Sequence, residues 1–118
     1  MSDRELLELA AKAAGVEGGW GERYKVGNDE IDLTKCWFLD APDCCVLWDP
    51  LNDDGDALRL AVGLEMQLRL RHSENEVSVY GAPNGRIDEG VCGDSLAATR
   101  RAIVRAAAEI ARASSCSP

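Results

Sequence analysis

The stretch WDPLNDDGDALRLAV, from Trp48 to Val62, decides the fold of this chain. A short apolar run ends at Pro50, which lacks the backbone N–H that a central strand needs. Asp53 then occupies the position of a helix cap. Two further aspartates follow in the first turn, where carboxylates favour the positive end of the helix dipole. The stretch therefore predicts a strand, a proline turn and a helix over residues 53–64.

This central helix is apolar on almost every side. A helix at the edge of a core keeps one apolar stripe and one polar face. Here the apolar positions nearly encircle the axis, so we expect the helix to be well buried. These positions are Leu58, Leu60, Ala61, Val62 and Leu64.

Local signals place one further helix at each end of the chain. A capping box opening at Ser2 and a glycine stop bound a first helix over residues 3–14. Asp94 caps a last helix over residues 95–113. Leucine, isoleucine and alanine residues recur on one face of this helix, so we expect that face, including Leu96, to pack on a sheet.

Apolar residues also predict strands between the helices. Two short apolar segments predict strands near residues 31–39 and 45–48. Alternation of apolar and polar residues across residues 66–80 predicts a β-hairpin with one packed face.

Two glycine-containing segments interrupt these elements. Residues 15–28 have the composition of an irregular connector, and residues 81–93 that of a mobile loop. Inside that loop, the sequence leaves open whether a short strand forms at Arg86–Ile87 or at Val91–Cys92.

Together these elements predict one α+β domain over residues 1–118. We expect an antiparallel sheet of three to five strands with three helices packed on it, in an α–β–α sandwich-like arrangement.

The net charge of −8 is concentrated in the first half, because residues 1–56 hold 14 acidic and 5 basic residues. Such a surface repels phosphates, so direct nucleic-acid binding is disfavoured. Two interpretations of the acidic half stay open: a DNA mimic that occupies a basic groove on another protein, or a solvated surface that keeps the protein soluble.

No apolar stretch approaches the roughly 20 residues that span a bilayer, and no signal segment opens the chain. We therefore expect a cytoplasmic protein without membrane contact.

No residue pattern predicts catalysis, a cofactor or a metal site. The five cysteines show no CxxC spacing, and their odd number favours reduced thiols. His72 is the only histidine and lies in a predicted turn, without the spacing of a triad or a zinc site. Aligning Gly55 with the glycine of a calcium loop places Pro50 and Ala61 where that loop needs ligands, so helix capping explains the neighbouring aspartates better.

A protein partner is the interaction that the sequence favours, and a homodimer stays open. Trp20 is the candidate for an exposed aromatic contact, although core anchoring also explains it. Arg100 and Arg101 lie early on the last helix, where positive charge opposes the dipole, which favours pairing with acids of the same molecule. The alternative is a small-ligand-binding protein or an enzyme, with a pocket between residues 15–28 and 81–93. The candidate partner-binding residues are Trp20, Glu30, Asp43, Asp49, Arg101 and Arg105.

The sequence resembles small proteins that tailed phages and prophages encode. The likeness lies in the leucine-rich first helix, in residues 48–62 and in the closing segment ATRRAIVRAAAEI, residues 98–110. It is similar to the phage α–β–α sandwich domain and to the NinX-like group. The resemblance implies a non-catalytic accessory protein in the cytoplasm of a bacterial host cell, which binds a host or phage macromolecule. An acidic DNA mimic or anti-defence inhibitor is the sharpest version, and the resemblance implies no site residue.

Overall fold

The computed structural model describes residues 2–34, 36–39, 47–82, 85–91 and 93–115. It confirms the predicted α+β class, because three helices accompany antiparallel strands in these ranges. The strands are distributed over sheets of three, two and three strands instead of being collected in one sheet. None of the helices in the described ranges is both long and apolar enough to cross a bilayer.

The first helix, α1, covers Asp3–Ala14 and packs against the last helix. Its cap forms as predicted, because the Ser2 hydroxyl accepts a hydrogen bond from the Glu5 amide at 3.2 Å. Gly15 ends the helix with a φ of 68°, a left-handed conformation that glycine adopts without strain.

The glycine-rich segment that follows is not the irregular connector that its composition predicted. It holds β1 (Gly18–Trp20) and β2 (Arg23–Val26). β2 pairs with β3 (Asp29–Asp32) across a tight turn at Gly27, whose φ is 65°. The prediction failed because this glycine forms the turn of a hairpin instead of breaking a strand.

The strand predicted near residues 31–39 is divided in two. Its second part is β4 (Trp37–Leu39), which pairs with β1 and with β5 (Leu47–Trp48) in a three-stranded sheet. The first half of the strand predicted over residues 45–48 lies outside the described residues.

The central helix, α2, covers Asp54–Gly63, with Asp53 as its N-cap. The expectation that this helix is well buried holds for one face only. Leu60 lies in the core, whereas Leu58 and Val62 are largely exposed. α2 packs against the last helix along one face, so the leucine and valine on another face stay in solvent.

Three strands then form a sheet of order β6-β7-β8, which we call the C-terminal sheet. They are β6 (Gln67–Arg71), β7 (Glu76–Ala82) and β8 (Gly85–Gly90). The predicted hairpin is confirmed as β6–β7. β6 and β8 are the two edges of this sheet.

The presence of β8 corrects the prediction of a loop over residues 81–93. Of the two strand positions left open there, Arg86–Ile87 is observed, with Ile87 opposite Val79 of β7. This strand contributes a single large apolar side chain to the packed face, so its alternation of apolar and polar residues is weak. The surrounding glycines therefore favoured the prediction of a loop.

The last helix, α3, covers Ser95–Ser115 and forms the centre of the molecule. The Asp94 carboxylate accepts hydrogen bonds from the amides of Leu96 and Ala97, which confirms the predicted cap. Several alanines of α3 are fully buried, and their small side chains let neighbouring elements approach closely. α3 packs against α1, α2, β7 and β8.

Candidate functional site

An exposed apolar surface lies where α2, α3 and β6 meet. Leu58, Leu68 and Leu96 line one depression of this surface, and Leu96 lines a second depression together with Leu70. Val62 follows Leu58 by one helical turn on α2. Although all five are large aliphatic residues, they are 36–68% exposed. We call them the apolar band.

The sequence patterns predicted that these side chains are packed, and for this band the prediction is wrong. Leu96 was expected on the packed face of α3, yet it is 59% exposed in the first turn of that helix. The physical reason is that, within the C-terminal sheet, α3 packs on β7 and β8, so side chains beside β6 lack cover. One signal was present in the sequence: Leu58 and Val62 form a stripe separate from that of Leu60.

The apolar band borders an open strand edge. β6 hydrogen-bonds to β7 on one side, and no strand within the described part of the chain pairs with its other side. Leu68 and Leu70 alternate with Gln67, Arg69 and Arg71, which point to the opposite face of the sheet. The unpaired backbone groups of such an edge can template a further strand.

The β8 edge is instead engaged by arginines of α3. The Arg105 guanidinium donates to the backbone carbonyl of Asp88 at 3.2 Å and forms an ion pair with Glu89. Arg101 lies 4.0 Å from the same Glu89 carboxylate and pairs with Asp3 at 3.1 Å. The structure thus brings two of the predicted partner residues together, and Arg101 pairs within the molecule as predicted.

The face of the C-terminal sheet that points away from α3 is polar, and several of its side chains hydrogen-bond to one another. The Ser78 hydroxyl donates to the Asp88 carboxylate at 2.7 Å, and Arg86 donates to it at 3.0 Å, which lowers the pKa of Asp88. The guanidinium groups of Arg86 and Arg69 lower the pKa of the Tyr80 phenol in the same way.

The aspartates of the central stretch serve the start of α2, which confirms the capping explanation. Asp53 accepts a hydrogen bond from the Asp56 amide at 2.9 Å, and Asp56 accepts one from the Asp49 amide at 2.9 Å. Asp54 pairs with Arg100 of α3 at 2.5 Å, as the position of that arginine predicted.

Another carboxylate is fixed at the end of β3. The Thr34 hydroxyl and the Thr34 amide both donate to Asp32, and Arg23 pairs with it at 3.1 Å. These donors stabilise the ionised form and lower the pKa of Asp32 to about 2.

The other predicted partner residues that the structure describes do not line the depressions of the apolar band. Trp20 is half-buried, with its ring centroid 5.2 Å from that of Trp37. Glu30 pairs with Arg23 across the β2–β3 hairpin at 3.5 Å. Asp43 lies outside the described residues. Contact of these residues with a partner stays a prediction.

The reactive side chains show no common centre in the described part of the chain. Cys36 carries a free, half-buried thiol. The turn predicted around His72 is confirmed as a 3₁₀ turn over His72–Glu74. Two depressions beside β8 are lined by residues of α1 and α3, not by residues 15–28, so the small-ligand alternative stays a prediction. The cysteines outside the described residues are Cys44, Cys45, Cys92 and Cys116.

Comparison with family models, with curated proteins and with solved structures finds no match to this chain. The resemblance to phage and prophage proteins therefore stays an expectation that rests on the sequence patterns. The site must be interpreted from its own geometry.

Proposed function

We propose that this protein is a non-catalytic binding module, which recognises a protein chain through the apolar band and the open edge of β6. The observation that carries the proposal is the exposure of five large aliphatic side chains beside the edge of β6 that no described strand pairs with. Contiguous apolar surface of this kind is typical of protein–protein contact. This activity fits the accessory role that the resemblance to phage proteins implies.

The chemistry of this surface favours strand addition. A strand laid along β6 gains main-chain hydrogen bonds, and its alternate side chains reach the depressions beside Leu58, Leu70 and Leu96. Covering a half-exposed aliphatic side chain contributes about 1 kcal/mol, so several of them together offset part of the entropy cost of association.

The charge-based version of the function, in which the acidic half mimics DNA, draws less support from the geometry. Asp32, Asp54 and Asp56 already pair with arginines of the same chain. A carboxylate that is held by its own chain is less available to a basic groove on another protein. We therefore place the binding surface on the apolar band.

Site-specific photocrosslinking in bacterial cells tests this proposal. A photoreactive benzophenone side chain is placed at Leu96, and a matched control carries it at Val26, which is 56% exposed but lies on β2. We expect protein adducts at position 96 and none above background at position 26. Adding Leu70→Asp should remove the adducts, while circular dichroism shows that the fold persists.

Two results would overturn the proposal. One is an equal yield of adducts at positions 96 and 26, which means that the band has no special affinity. The other is an adduct at position 96 that survives Leu70→Asp, because an acidic side chain in the band should disrupt an apolar contact.

A further inference from the structure

We infer that the chain that binds β6 is a second copy of this protein, and that the two β6 strands pair antiparallel about a two-fold axis at Leu68. This inference rests on the proposed function and names the partner of the same surface. It follows from the order of side chains along β6 and from the residues that flank this strand.

The apolar face of the strand is self-complementary about Leu68. An axis at this position sets Leu68 opposite its own counterpart, and it sets Leu70 opposite Met66 of the second copy. Residues directly opposite in an antiparallel pair point to the same face, so these side chains meet on the side of the apolar band.

The polar face is complementary in the same register. Gln67 lies opposite Arg69 of the second copy, so neither side chain meets a like charge. Glu65 is exposed in the turn just before β6, where its φ is 54°, and this turn lies near Arg71 of the second copy at the other end of the strand. Because the axis repeats every contact, the pair gains this opposite-charge match at both ends.

An axis at Gln67 pairs only that residue of β6 with β6 of the second copy, whereas the axis at Leu68 pairs three residues of the strand. Symmetric registers centred beyond Leu68 bring like charges together. An axis at Arg69 sets that arginine opposite itself, and an axis at Leu70 sets Arg69 opposite Arg71. Like charges directly opposite on neighbouring strands are destabilising. The register at Leu68 is therefore the one that this strand favours.

The helices are also placed to take part. A two-fold axis between antiparallel neighbours stands perpendicular to the sheet, so both copies carry α3 on the same side. Leu58 and Leu96 line a depression together with Leu68 of β6 on that side, and Val62 follows Leu58 by one helical turn, so these side chains are placed to contact the second copy. The net charge of −8 on each copy opposes association at long range, and ordinary salt screens this repulsion.

Sedimentation equilibrium over a concentration series tests the dimer. We expect the wild-type chain to reach a dimer mass, and we expect Leu70→Asp to remain monomeric. The matched control Val26→Asp places the same charge at an equally exposed site away from the band and should dimerise as the wild type does.

Cysteine crosslinking tests the register. Under mild oxidation, Leu68→Cys should form a disulfide with its own counterpart, identified by mass spectrometry of the linked peptide. Leu70→Cys should not, because positions 70 and 70 of the two copies lie four residues apart along the strands, about 13 Å. That separation exceeds the roughly 7 Å that a disulfide spans between Cα atoms. Self-linkage of Leu70→Cys together with none at Leu68→Cys would overturn the register.

Charge reversal gives a second test of the register. Glu65→Arg alone and Arg71→Glu alone should each weaken the dimer about tenfold, because each creates two like-charge contacts. The double variant should recover wild-type affinity, because it restores the match with the signs exchanged. Arg71 also pairs with Glu74 of its own chain at 3.1 Å, so Glu74→Gln is the control and should leave the dimer intact.

The outcomes separate this inference from the proposed function. If the wild type stays monomeric while the crosslinker at Leu96 still captures a different protein, the second copy is wrong and the binding module stands. If a dimer forms and survives Leu70→Asp, the apolar band is not the dimer interface and this inference fails, whereas the proposed function is then decided by the adducts at Leu96.

Discussion

The two edges of the C-terminal sheet differ in what covers them. At the β8 edge, Arg105 of α3 contacts the backbone carbonyl of Asp88 and the Glu89 carboxylate. At the β6 edge, Leu68 and Leu70 remain exposed, and no strand in the described ranges pairs with the side of β6 that faces away from β7. One edge is engaged by its own chain, and the other is left for a partner.

This difference arises from the position of α3. The helix packs on β7 and β8, so the apolar face of the sheet is buried there and is exposed at β6. An alternating strand therefore becomes core or binding surface according to the element that lies across it, and its own sequence does not decide between them.

The largest expected difference in stability is between substitutions of two side chains on the same face of this sheet. Val79 in the central strand is fully buried, whereas Leu70 in β6 is 60% exposed. Val79→Ala should lower the free energy of unfolding by about 2 kcal/mol, and Leu70→Ala by about 0.5 kcal/mol. Urea denaturation at low protein concentration measures both, and equal losses would contradict the comparison.

A smaller effect should appear at the engaged edge. Arg105→Ala leaves the partly buried Glu89 carboxylate with fewer donors and should cost about 1 kcal/mol of stability. Arg112 pairs with Glu109 one turn away on the exposed side of α3, so Arg112→Ala should cost about 0.3 kcal/mol. Urea denaturation measures the loss of unfolding free energy in both variants. If the two losses are equal, the contacts at the β8 edge stabilise the fold no more than an ordinary surface ion pair does.

The smallest effect concerns the polar face that both edges share. Because the Ser78 hydroxyl is the main cause of the lowered pKa of Asp88, Ser78→Ala should raise that pKa towards its ordinary value. A carboxylate with a depressed folded pKa contributes stability above its unfolded pKa and loses it as the pH falls through the folded value. In Ser78→Ala this contribution should be smaller, and its loss should be complete at a higher pH. Carboxyl carbon NMR titration measures the shift, and an unchanged midpoint would contradict the assignment.

Much of the fold could be predicted from local sequence signals. The caps of α1 and α3 and the β6–β7 hairpin depend on residues that are close in the chain, so spacing alone identifies them. β1, β2 and β8 could not be predicted because they lie among glycines, where the turn and the strand have similar composition. Pairing with another strand decided those cases: β1 pairs with β4, β2 with β3 and β8 with β7.

The binding surface could be predicted less well than the fold. Leu58 and Val62 look like core residues in the sequence, and only the position of α3 shows that they are exposed. Charge and aromatic content instead predicted Trp20, Glu30 and the arginines of α3 as binding residues, and these lie outside the apolar band.

Hydrogen–deuterium exchange as a function of protein concentration tests the central claim most directly. It compares the amides of residues 67–71 in β6 with those of residues 85–90 in β8 within one sample. We expect protection of the β6 amides to rise with concentration while that of the β8 amides stays constant, because strand pairing slows exchange only at the edge that it covers. Protection that rises at β8 and not at β6 would contradict the assignment of β6 as the binding edge.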